Sequence, residues 1–197
     1  MEEIKYKGYS IKIEQDDNPI NPREDDNLGT MICFHRRYDL GDKHDLNKDD
    51  FNSWDEVYNY LKKECKAAVI LPLYLYDHSG IAISCDSFIG REQHAEWDSG
   101  QVGFIYVSKE TLKKEKLEKR SKKIIEKYLQ GEVETYNQYI NGEVYGFIIE
   151  DENGNPVEDG SCWGFYDTKD AIAEAKSIVD YEVKQRKEEV PASCLFC

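Results

Sequence analysis

AAVILPLYLYDHSG, residues 67–80, runs directly into IAISCDSF, residues 81–88. The first segment is apolar almost throughout, which predicts a strand covered on both faces. Only His78, Ser79 and Gly80 separate it from the second, a link so short that it closes a hairpin. Downstream, residues 88–101 read as a polar loop carrying Trp97, and VGFIYVS at 102–108 as a further strand. From Lys109 to about Leu129 a charged helix is expected, with Leu112, Leu117, Ile124 and Leu129 as its stripe. Gly131 should break it before VETYNQYI resumes. VYGFIIED and SCWGFYD flank residues 152–160 as a second hairpin. A last helix, capped by Asp167 or Thr168, turns Ala171, Ile172, Ala175, Ile178 and Val179 inward.

Upstream, Ser53 with Glu56 three residues later is a capping-box pattern, opening a helix through Lys66. TMICFHRRY at 30–38 is β-branched and aromatic, hence a strand. Residues 4–15 alternate as a half-buried strand or a short hairpin around Gly8. Strands thus come in clusters instead of alternating with helices. That predicts an α+β fold, with a mostly antiparallel sheet packed against three or four helices. One domain is expected over residues 1–190, with a flexible tail over 191–197.

The chain has 197 residues, 26 Lys+Arg, 40 Asp+Glu and a formal charge of −14. Its 12% aromatic content argues against disorder. No apolar stretch approaches the ~20 residues of a membrane span, and MEEIKYKGYS lacks the basic and apolar regions of a signal peptide. A cytoplasmic location is therefore expected, with no membrane partner. The charge is unevenly placed: residues 14–56 hold 13 acidic and 5 basic groups, residues 109–127 hold 9 basic and 4 acidic, and residues 128–197 hold 15 acidic and 5 basic. An acidic body with one basic segment is not the continuous basic face of a general DNA binder. It suits a protein that meets basic surfaces, or one kept soluble by self-repulsion. The acidic loop at Glu24, Asp25 and Asp26 is the expected partner-facing element.

Six cysteines at 33, 65, 85, 162, 194 and 197 read as thiols of a reducing compartment. Cys194 and Cys197 form a C-x-x-C without the second pair of a zinc site or the βαβ setting of a redox motif. DENGN at 151–155 imitates the start of a calcium loop, but Pro156 replaces the required glycine. Phosphate-binding glycine loops and nucleophile elbows are absent. Three polar clusters remain. DNLGTMICFHRRYDLGDKH, residues 26–44, offers His35, Arg36, Arg37 and His44, and arginine suits bidentate recognition of phosphate or carboxylate. Asp77 and His78 sit where the apolar strand meets its turn, and Trp97 with Asp98 sits in the loop before the next strand. If these converge, they form a pocket with Trp97 as a wall, suited to a phosphate-bearing ring. The alternative is that Arg37 pairs with Asp26 or Asp77 and merely fixes two loops. No local spacing fixes two metal ligands.

At these motifs the chain resembles a family of small acidic proteins from bacteriophages, plasmids and other mobile elements. The matching phrases are DNLGTMICFHRRYDLGDKH, LPLYLYDHSG, WDSGQVGFIYV, GEVETYNQYINGEVYGFIIED and SCWGFY, spread over residues 11–180. The family carries no established activity, so no catalytic residue transfers. What the resemblance implies is context: an accessory gene that helps a mobile element live with its host, where acidic inhibitors of restriction and CRISPR systems are familiar. The expected function is thus a non-enzymatic accessory protein that binds and blocks a host defence component. Its ligand would be a basic protein surface or a nucleotide-like signal, with no cofactor. The alternatives are a small hydrolase acting on a nucleotide or phosphodiester, which alone would need a divalent metal, and a non-catalytic scaffold.

Overall fold

The computed structural model describes residues 2–189, and within them the protein is α+β. The expected tail at 191–197 and the Cys194–Cys197 pair lie outside the described residues. No helix among the described residues is long and apolar enough to cross a membrane. Among the described residues, eight strands form two four-stranded antiparallel sheets, and these residues divide into two compact units.

The first unit comprises, among the described residues, 2–20 and 142–189. Strands β1 (Glu2–Tyr6) and β2 (Tyr9–Gln15) form the hairpin anticipated around Gly8. Its two turn residues, Lys7 and Gly8, both have positive φ, as the tight turn matching the twist of a hairpin requires. Strands β7 (Tyr145–Glu150) and β8 (Pro156–Phe165) extend the sheet in the order β1-β2-β7-β8. Helix α5 (Thr168–Glu189) crosses one face, where Ala171, Ala175 and Val179 meet Tyr9, Ile11, Ile13, Phe147 and Ile149. Small residues on the helix let it lie close to the branched and aromatic residues of the strands. On the other face Lys12 pairs with Glu150, and Ser10 donates to Glu3.

The second unit, residues 21–141, carries the sheet β3-β6-β4-β5. Its strands are β3 (Thr30–Cys33), β4 (Ala67–Asp77), β5 (Ile81–Ser84) and β6 (Ser99–Ser108). The apolar run of β4 is an interior strand, as expected, flanked by β6 and by its hairpin partner β5. Pro72 is tolerated there because pairing with β5 begins only at Tyr74. Helix α4 (Lys122–Ile140) covers one face, setting Ile125, Leu129 and Val133 on Met31, Val69, Leu73 and Ile105. On the other face, α1 (Trp54–Lys63) lays Val57 and Leu61 on Ile32, Ala67 and Phe104. The cap of α1 is the one expected: Ser53 Oγ accepts from the Glu56 N–H, while the Glu56 carboxylate reaches back to the Asn52 N–H.

The basic segment departs from the expected helix. Instead of running unbroken to Gly131, it ends as α3 (Lys109–Lys114) and restarts as α4 at Lys122. Lys116 adopts positive φ, the Lys116 N–H bonds Lys113 O and the Leu117 N–H bonds Leu112 O. That is a Schellman stop, with Leu117 and Leu112 both packed against the core. Gly131, by contrast, lies inside α4 and breaks nothing. TMICFHRRY also departs from a full strand, since β3 ends at Cys33 and the chain then turns.

Candidate functional site

Strand order dictates where the polar clusters meet. β6 lies between β3 and β4 and runs antiparallel to both, so the ends of β3 and β4 arrive together at the beginning of β6. Gly103 makes the β3 approach possible: a Cβ there would lie 1.9 Å from Ile32 O. The Phe34 N–H continues the ladder to Val102 O, 2.8 Å away, and residues 35–38 fold over the sheet end. His35 shapes that fold. Its Nδ1 accepts from the N–H groups of Arg37 (3.3 Å) and Tyr38 (3.2 Å), which puts the ring proton on Nε2. The imidazole also stacks on the Tyr38 ring at 4.9 Å.

Asp77, the last residue of β4, accepts from both sides of this turn. Its Oδ1 takes the Tyr38 hydroxyl at 3.2 Å and its Oδ2 takes the Arg37 guanidinium. The two partners differ in exposure: the Arg37 side chain is 69% exposed and that of Asp77 only 22%. Opposite them, His94 in the left-handed region starts the single-turn helix α2 (Ala95–Asp98). Ala95 is buried and anchors that turn, which leaves Trp97 87% exposed. Asp98 Oδ2 is 2.8 Å from His78 Nδ1, so the β4–β5 turn and α2 are tied together.

One cavity of about 290 Å³ is bounded by Phe34, His35, Arg37, Asp77, Trp97 and Asp98, with Gln101 also in its lining. The lining sets two carboxylates, Asp77 and Asp98, against one guanidinium, Arg37. The Tyr76 phenol, which donates to Gln93 O, is held above its ordinary value by desolvation and then by Glu92 and Asp98.

The sequence-derived candidates separate accordingly. His35, Arg37, Asp77, Trp97 and Asp98 meet in the cavity, and His78 joins through Asp98. Arg36 and His44 do not line it. Arg36 is exposed in the turn, whereas His44 Nε2 bonds Cys33 O at 3.0 Å and its ring meets Phe34 edge-on. Glu24, Asp25 and Asp26 are exposed elsewhere, with Asp26 edging a separate cavity beside Lys114 and Tyr128. Among the described residues, no three His, Cys, Asp or Glu side chains gather as a metal cage.

Two features escaped the sequence reading. Between β5 and α4 lies a larger cavity, about 670 Å³, lined by Ser84, Asp86, Arg91, Glu134 and Asn137. There Asn137 Oδ1 accepts the Ile83 N–H at 2.8 Å, which covers part of the β5 edge. The second is Arg23, whose side chain is 3% exposed. Its guanidinium forks onto Asp42 through Nε and Nη2, both at 2.8 Å. Nη1 reaches Asn27 and Glu132, and Nη2 also reaches Gly29 O. Burial works against this charge, but Asp42 and Glu132 outweigh it and hold the pKa above its ordinary value. The thiols at Cys33 and Cys85 are pushed up to about 12, mainly by burial, so neither is a poised nucleophile. Comparisons with protein-family models, with curated proteins and with solved structures find no match.

Proposed function

We propose that this protein is a non-enzymatic binder that docks on a basic protein surface through the cavity around Trp97. The observation that carries this reading is an indole 87% exposed beside the cavity's two carboxylates. Tryptophan is enriched among the residues that anchor protein interfaces, and an indole face attracts guanidinium and ammonium groups. Charge favours a protein side chain over the nucleotide-like ligand. A phosphate would meet Asp77 and Asp98, with Arg37 already engaged by one of them. In the mobile-element setting that the resemblance implies, the partner would be a host defence component held inactive by the complex.

The test is affinity capture from host lysate, with wild type, Trp97→Ala and the triple variant Glu24→Lys/Asp25→Lys/Asp26→Lys as baits. Trp97→Ala should weaken retention by at least about 30-fold, the effect of losing an anchoring aromatic. The triple reversal should slow association and reduce its salt dependence while leaving the fold intact. Equal retention by wild type and Trp97→Ala would remove this reading.

A further inference from the structure

We infer that the cavity accepts an arginine side chain from the partner, and that Arg37 is the internal stand-in which that arginine displaces from Asp77. The inference rests on the docking reading above and names the partner group.

Asp77 is built as an arginine acceptor. Its carboxylate is largely covered, fixed at the end of a paired strand, and oriented by the Tyr38 hydroxyl on Oδ1. What it holds on Oδ2 is a guanidinium. That guanidinium comes from a side chain mostly in solvent, lying 5.4 Å from the Tyr38 ring on a short turn. Exposed pairs of this kind shift an equilibrium by no more than about fivefold. The pair is therefore easily exchanged. Arg23 shows the contrast within the same unit, being buried, forked on Asp42 and bonded to Asn27, Gly29 and Glu132 as well.

An incoming arginine would gain what Arg37 lacks. Its methylenes would cover Phe34, Leu75 and the Trp97 indole, and its planar fork would match a carboxylate that a lysine ammonium meets only as a point charge. Asp98, tied to His78 on one oxygen, adds a second negative group at the same rim. The cavity volume suits one side chain.

This assigns Arg37 an effect opposite in sign to that of a phosphate-binding arginine. Arg37 competes with the partner, so removing it frees the competent state and raises apparent affinity in proportion. The probe is a blocked tripeptide with a central arginine, alongside lysine and citrulline versions. Titrations follow the Trp97 indole N–H resonance, assigned through Trp97→Phe. Arg37→Ala should bind the arginine peptide about two- to sixfold tighter than wild type, the range set by an exposed pair. Arg36→Ala removes the same charge from the neighbouring exposed position and should leave most of that gain absent. The lysine peptide should bind more weakly, and citrulline weaker still. Unchanged or lower affinity in Arg37→Ala overturns the stand-in role. So does an equal gain in Arg36→Ala, or a Trp97 resonance that no peptide moves. The docking reading is judged separately, by retention of the full partner on Trp97→Ala.

Discussion

Arg23 and Arg37 lie in the same acidic stretch, yet their surroundings give them opposite characters. Arg23 is surrounded by oxygen acceptors from three parts of the second unit: Asn27 and Gly29 nearby, Asp42 after β3, and Glu132 on α4. The acceptors are themselves occupied, since Asp42 also takes the Met31 N–H and Glu132 the Leu28 N–H. Arg37 holds one carboxylate at the mouth of a cavity and is otherwise mostly in water. A saturated arginine fixes a fold, whereas one loosely held leaves its carboxylate open to exchange. Number of partners and burial, not residue type, separate the two roles.

The comparison can be broken most directly at the buried side. Arg23→Ala strands Asp42 and Glu132 as uncompensated, partly buried charges and should cost about 3–5 kcal/mol in urea unfolding. A loss below about 1 kcal/mol would mean that water replaces the guanidinium and that the two arginines are alike. Leu73→Ala gives a packing yardstick in the same sheet. Leu73 is fully buried and should cost about 2–5 kcal/mol, with less at the half-buried Leu71. Near-neutral effects at both would place this segment outside the core.

Gly131 sharpens the picture from the helix that carries Glu132. A Cβ at 131 would meet nothing within 4 Å, so Gly131→Ala should stabilise the protein by about 0.5–1 kcal/mol. A loss instead would show that α4 is bent there in a way that alanine does not allow. The smallest expected change is at the exposed side: Arg37→Ala should alter stability by less than about 1 kcal/mol. A larger loss in the melting curve would give Arg37 the loop-fixing role and remove it from binding.

Much of the fold was legible because it rests on local chemistry. The Ser53 cap, the β4–β5 hairpin, the Gly8 turn and the final helix follow from residues within a few positions of one another. The helix stop at Lys116 was not legible, because the left-handed residue there is a lysine where such stops usually show glycine. Gly131 misled for the complementary reason: a helix held by Ile125, Leu129 and Val133 on the sheet absorbs one glycine. At the cavity, the residue types at 35, 37, 77, 97 and 98 could be read as candidates. Their meeting depends on β6 pairing with both β3 and β4, which no local pattern encodes. Arg23 was missed because its partners Asp42 and Glu132 are distant in sequence.

The placement of residues 21–141 between β2 and β7 has a kinetic consequence. These strands are hydrogen-bonded neighbours, with Gln15 opposite Tyr145 and the Asp16 N–H 2.8 Å from Val144 O. Pairing them closes a loop of roughly 130 residues, whereas the β1–β2 hairpin closes almost none. As an open chain, such a loop costs about 4 kcal/mol in the length-dependent part of its closure entropy alone. The first sheet should therefore zip late, after the inserted segment has folded and shortened the path between its ends. Replacing residues 18–142 with a two-residue Asn-Gly turn would convert the slowest pairing into a local one and speed formation of the β2–β7 ladder.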